Sequence, residues 1–158
     1  MKIDWIERGT IAASGIPLGR KDLQSLREQG IRAIVTLTEY PLTVQTEITE
    51  HVLDEMGFAC LHAPVEDQCP PDVAIVQSVV RFVRQMRSQG LPVLLHCHAG
   101  VGRTGTMLHA YYLAEGLSLD EAKVRVRVTR PSSQFLMLSE AQRAFLEELA
   151  DEGKPLGR

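Results

Sequence analysis

Apolar residues along the chain follow two rhythms. Ile31 to Leu37, Phe58 to Val65 and Val93 to Leu95 are short, nearly unbroken apolar runs, as expected of strands buried on both faces. Between them the spacing changes to that of helices. Arg20 to Gln29 reads as a short helix stopped by Gly30. Val44, Ile48, Val52 and Met56 recur every four residues and predict a helix ending at Gly57. Asp72 to Gln89 predicts a long amphipathic helix, with Val73, Val76, Val80, Val83 and Met86 inward and Arg81, Arg84 and Arg87 on a solvated face. It ends at Gly90, and Pro92 opens the next strand. Met107 to Ala114 is apolar nearly all round, as in a central buried helix. Ser118-Leu119-Asp120-Glu121 spells a capping box, so the ambiguous alternation Val124 to Val128 is read as helix. Leu138 to Leu149 predicts a last helix, and Trp5 to Ala13 an irregular strand or hairpin turning at Gly9.

Strands alternating with helices imply an α/β layer fold: a central, largely parallel, twisted sheet flanked by helices. The length and hydrophobic fraction, 158 residues and 44%, suit one domain over 1–158, with 151–158 a frayed tail. A net charge of -3 gives no reason to expect nucleic acid or an anionic membrane as partner. Met1 to Thr10 carries Asp4 and Glu7 and no long apolar core, and no run reaches membrane-spanning length, so a cytoplasmic location is expected. Three cysteines, an odd number, argue against a disulfide framework and fit a reducing compartment. Cys60 reads as strand core.

The chemistry concentrates in His96-Cys97-His98-Ala99-Gly100-Val101-Gly102-Arg103-Thr104-Gly105-Thr106. A cysteine ends a strand, and five residues later an arginine opens a helix. The helix N-terminus directs unpaired N–H groups and its positive dipole end back at the cysteine, favouring a thiolate. Gly100 and Gly102 let the backbone amides turn inward around an anion. His98, Ala99, Gly100, Val101, Gly102 and Arg103 would together cradle a tetrahedral oxyanion. Arg103 would grip two of its oxygens through a planar fork. Thr104 can donate its hydroxyl to the sulfur and stabilise it as a leaving group.

His96-Cys97, five residues, then Arg103-Thr104 resembles the signature of the cysteine-dependent protein tyrosine phosphatase superfamily, in its compact atypical dual-specificity branch. The resemblance extends from about Trp5 to Leu149 and is specific at the catalytic loop, more loosely at the loop before the long helix. It implies a protein-tyrosine-phosphatase-like fold, a phosphocysteine intermediate on Cys97 and no metal or organic cofactor. It also implies a general acid on the proline-containing segment Ala63 to Asp72, which makes Asp67 the acid and leaves Glu66 and Asp72 as competitors. Asp72 also suits a helix N-cap. His96 would then prop the loop from behind. Glu39, delivered to the carboxyl edge of the sheet by the strand before it, would orient Arg103, with Tyr40 lining the pocket. Gln142 and Gln134 compete for positioning the hydrolytic water. Closure of the acid loop would bring Cys69 towards Cys97 as a disulfide partner.

A metal site on His96, Cys97 and His98 would have no use for the loop glycines and Arg103. A buried structural cysteine leaves the spacing unexplained, and a rhodanese-type sulfur carrier fits the Arg–Thr–Gly continuation poorly. The expected activity is a phosphomonoesterase acting on phosphoproteins: phosphotyrosine, and in a dual-specificity enzyme phosphoserine and phosphothreonine. An inositol phosphate or phosphoinositide phosphatase is the alternative, although His98, Ala99 and Val101 supply no loop lysine. A phosphate-binding pseudophosphatase is the non-enzymatic one.

Overall fold

Period-two alternation along the central strands feeds two separate apolar layers. The computed structural model describes residues 1–152. Strands β1 (Asp4–Glu7), β2 (Ile11–Ser14), β3 (Ala33–Thr36), β4 (Ala59–His62) and β5 (Val93–His96) form one sheet in the order β1-β2-β5-β3-β4. β1 and β2 make an antiparallel hairpin, and the other pairings are parallel. β5 lies between β2 and β3, so all four of its residues are buried.

Leu94, Ile34 and Ala12 face one side. There they meet Leu23 and Leu26 of α1 (Arg20–Glu28) and Val52 and Leu53 of α2 (Glu50–Glu55). Val93, Leu95, Ala33, Val35 and Ala13 face the other side. That larger layer holds α3 (Val73–Ser88), α4 (Gly102–Ala114), α5 (Leu119–Thr129) and α6 (Glu140–Glu152). α4 is buried almost throughout, as its apolar sequence requires.

Several expectations shift in detail. The helix expected from Val44 starts only at Glu50, because the Thr49 hydroxyl accepts from the Val52 N–H at 3.1 Å and fixes the N-terminus there. Val44 instead closes a 3-10 turn over Leu42–Val44 and is exposed. In α3 the inner stripe is Val76, Val79, Val80, Val83 and Met86, while Val73 stands out beside Phe145 and Leu149. Cys60 is exposed rather than core, because β4 is an edge strand on which Ala59 and Leu61 take the inner positions. Arg84 and Arg87 are not simply solvated: they bridge to Glu115 and Glu7, each at 2.9 Å, whereas Arg81 is exposed. The α5 capping box forms as spelled, and Val124 and Val128 turn outward while Ala122 and Val126 are buried. Asp151 and Glu152 belong to α6 rather than to a frayed tail, and the remainder of that expected tail lies outside the described residues.

Candidate active site

The carboxyl end of the central strand delivers Cys97 into a cleft of about 250 Å³. The cleft is lined by Cys97, His98, Ala99, Val101, Gly102 and Arg103 of the loop, by Asp67 and Gln68, and by Met137, Ser139 and Gln142. Gly100 holds φ +76, a left-handed conformation that glycine adopts without penalty. A Cβ there would collide with the Ser14 carbonyl and come within 2.6 Å of Arg130 Nη2. Thr104 Oγ1 donates to Cys97 Sγ at 3.1 Å. Both groups are buried, so no water competes for that bond.

Arg103 is 6% exposed, and its guanidinium is divided between two tasks. Nη1 donates to Glu39 Oε1 and, at 3.1 Å, to the Val65 carbonyl. Nε, fully buried, has no protein partner among the described residues. Nη2 lies 3.7 Å from Asp67 Oδ1. The edge held by Glu39 is therefore fixed, while Nε and Nη2 are the donors open to a second ligand. A hydrogen bond from its own backbone N–H, followed by Arg103, holds the Glu39 carboxyl below the usual carboxylate range.

His96 sits fully buried directly behind the loop. Its Nδ1 lies 2.9 Å from the Cys97 carbonyl and its Nε2 2.8 Å from Thr36 Oγ1. A carbonyl only accepts, so Nδ1 carries the proton and the Thr36 hydroxyl donates to Nε2. Burial, against the pull of that carbonyl, lowers the His96 pKa to about 4. The ring is thus neutral near pH 7 and holds one tautomer.

Asp67 stands on the segment between β4 and α3 with its side chain 63% exposed. The next residue, Gln68, has φ +65, a conformation that costs a non-glycine residue free energy and clusters at working sites. The start of α6 and the residue before it hold this turn: Ser139 Oγ donates to the Gln68 carbonyl at 2.7 Å, and Gln142 Nε2 to the Cys69 carbonyl at 3.4 Å. Glu66 is exposed and lies outside the cleft lining. Asp72 occupies the N-cap position of α3, but its side chain makes no capping bond.

Of the two glutamines, Gln142 is the one in the cleft, 1% exposed and against Gly102. Gln134 lines a different cavity with Lys123 and Arg127. Tyr40 is exposed and does not line the cleft. Cys69 is a half-buried free thiol. His98 and Ala99 are exposed on the loop, and the His98 carbonyl accepts from the Ile16 N–H at 2.9 Å. Met137 and Ser139 also reach the cleft, and Arg130 and Ser133 reach its loop. Among the described residues no group of three or more His, Cys, Asp or Glu is placed to hold a metal ion. No described helix is long and apolar enough to cross a membrane.

The mixed, mostly parallel sheet, with a Cys–five residues–Arg loop between its central strand and a buried helix, is the protein-tyrosine-phosphatase fold. The chain belongs to the family described as "Polymorphic toxin system, DSP-PTPase phosphatase", whose pattern it matches over residues 11–117. It is 30% identical over 112 residues to dual specificity protein phosphatase 12 of Rattus norvegicus, covering 70% of this chain and 31% of that protein. It is 27% identical over 156 residues to the phosphatidylglycerophosphatase and protein-tyrosine phosphatase 1 of the same organism, covering 93% and 79%. The crystal structure of Tk-PTP in the active form superposes with a TM-score of 0.80 at 29% identity, covering 94% of this chain and 96% of that one. The chain spans between a quarter and a third of the length of the first dual specificity relatives it matches.

Proposed function

We propose that the protein is a phosphomonoesterase that removes phosphate from phosphoproteins through a phosphocysteine intermediate. The observation that carries this reading is the divided guanidinium of Arg103. Glu39 and the Val65 carbonyl fix one edge, and the buried Nε and the Nη2 beside Asp67 remain as donors next to Cys97.

In this reading Cys97 Sγ attacks phosphorus. The loop amides of His98 to Arg103 and the free edge of Arg103 stabilise the equatorial oxygens. As the phosphorus–oxygen ester bond breaks, Asp67 gives its proton to the leaving oxygen. Water, oriented by Gln142, then attacks the phosphocysteine and passes a proton to Asp67. The sulfur–phosphorus bond breaks, and Thr104 donates a hydrogen bond to the departing thiolate. His96 and Glu39 position the loop and the arginine. No step calls for a metal or organic cofactor. A free nucleophilic thiol works in a reducing compartment, and we place the protein in the cytoplasm.

The dual specificity relatives support protein substrates. The two relatives named as phosphatidylglycerophosphate phosphatases favour a second reading, a phospholipid monoester. The lysine-free loop speaks against a highly phosphorylated inositol headgroup. Turnover of phosphotyrosine, phosphoserine and phosphothreonine peptides, phosphatidylglycerophosphate and inositol phosphates, all in excess EDTA, tests the assignment. Peptides, phosphotyrosine first, are expected to give the highest kcat/KM. A higher value on the lipid would replace this reading with the second, and no turnover of any of them would make the chain a binding protein.

A further inference from the structure

An anion cradle works only while its peptide planes keep their N–H groups inward. The Gly100 carbonyl and the Val101 N–H belong to one plane. If that plane flipped, a carbonyl dipole would replace a donor in the cradle and repel the bound dianion. Glycine is where such a flip meets least steric resistance, and Gly100 already holds φ +76.

The outer side of this carbonyl is gripped twice. Arg130 Nε donates to it at 3.0 Å and Ser133 Oγ at 2.9 Å. Arg130 Nε also lies 3.2 Å from Ser133 Oγ. Both residues are buried, at 8% and 0% exposure, so neither bond is shared with water. Arg130 is in turn held by Asp4 of β1, whose Oδ2 accepts from Nη1 at 2.6 Å. Local sequence aims the arginine: α5 ends at Thr129, and Pro131 disfavours helical geometry at Arg130, which holds φ -148 and ψ 80. The segment that carries Ser133 packs tightly on α4, since a Cβ on Gly105 would lie 2.6 Å from the Ser133 carbonyl.

We propose that Asp4, Arg130 and Ser133 form a positioning clamp that locks the Gly100–Val101 peptide with its N–H facing the bound anion. The clamp touches neither substrate nor thiolate and acts only through the loop, so it rests on the reading of that loop as an oxyanion cradle. It gives the N-terminal hairpin and the α5–α6 connection, both remote in sequence from Cys97, a role in substrate affinity.

Tungstate binding by calorimetry in the Cys97→Ser background reads the cradle without turnover, and p-nitrophenyl phosphate kinetics in the Cys97 enzyme read KM against kcat. Loss of a buried, charge-assisted bond predicts that Arg130→Ala weakens tungstate about 10- to 100-fold and raises KM more than it lowers kcat. Ser133→Ala and Asp4→Asn weaken it less, about 2- to 10-fold. Arg130→Lys, which keeps a donor for the carbonyl, recovers most of the affinity. Ser118→Ala, which lowers stability by uncapping α5 far from the loop, leaves tungstate affinity unchanged. Should Arg130→Ala fail to fold, Ser133→Ala and Asp4→Asn decide. Folded clamp variants with wild-type tungstate affinity overturn the clamp and leave the phosphatase reading intact. Absence of tungstate binding with Arg130 present, together with no turnover of p-nitrophenyl phosphate by the unsubstituted protein, overturns the cradle and the clamp with it.

Discussion

Acidification should destabilise this protein through His96. The ring is fully buried between the Cys97 carbonyl and the Thr36 hydroxyl, with the Arg103 guanidinium as a further positive neighbour. Its pKa falls from 6.5 to about 4 on folding. A base whose pKa is depressed by folding stabilises the native state fully above its unfolded pKa, and loses that contribution as the unfolded chain takes up the proton. The window therefore runs from pH 6.5 down to about 4. At about 1.36 kcal/mol for each pH unit, it amounts to on the order of 3 kcal/mol, a large share of a typical domain's stability. Urea unfolding of the wild type and of His96→Gln, near pH 7 and near pH 4.5, isolates the effect. Glutamine retains a donor for the Cys97 carbonyl and does not titrate. Burial lowers the His109 pKa too, but His109 is present in both proteins and cancels. The wild-type advantage at neutral pH should shrink by most of that amount on acidification. Parallel stability curves, within about 0.5 kcal/mol across the window, would refute the assignment of a neutral, fully desolvated imidazole.

Three further outcomes follow from the site. Asp67→Ala should slow an alkyl or unactivated phenyl phosphate about 10²- to 10⁴-fold while barely affecting p-nitrophenyl phosphate, whose leaving group needs no proton. An equal loss on both, compared through kcat/KM, would remove Asp67 from the acid role. Thr104→Ala, which deletes the hydroxyl 3.1 Å from Cys97 Sγ, should slow phosphocysteine hydrolysis more than its formation and produce a pre-steady-state burst. The same stopped-flow trace without a burst would count against that role. Gly105→Ala should cost about 1 to 3 kcal/mol in urea unfolding, because the new methyl would lie 2.6 Å from the buried Ser133 carbonyl. A cost near zero would mean that the loop yields more readily than its packing implies.

Features set by neighbouring residues were legible in the sequence. The Cys97 to Arg103 spacing, the glycine stops and the Ser118 capping box all act within one turn, and they place the loop between a strand and a helix. The strand before it put Glu39 at the carboxyl edge of the sheet, the family resemblance singled out Asp67 on the proline-containing segment, and in the fold both meet Arg103. What escaped was decided across the sheet order. Cys60 resembles a core residue until β4 proves to be an edge strand, and Val73 fits an inward stripe until the first turn of α3 faces outward. Gln142 and Gln134 could not be ranked by spacing, because two 3-10 turns, Pro131–Ser133 and Phe135–Met137, intervene before α6. The role of Arg130 was out of reach of local sequence, since its partners Asp4 and Gly100 lie 126 and 30 positions away.

The central claim is that phosphate passes through Cys97. Acid quenching of wild-type protein during turnover of a phosphotyrosine peptide in excess EDTA, followed by peptide mass spectrometry, measures it directly. The account predicts one phosphoryl group on Cys97 of the wild type, accumulating further in Thr104→Ala, and none with turnover abolished in Cys97→Ser. Turnover surviving in Cys97→Ser, or a phosphoryl group on any other residue, would contradict it.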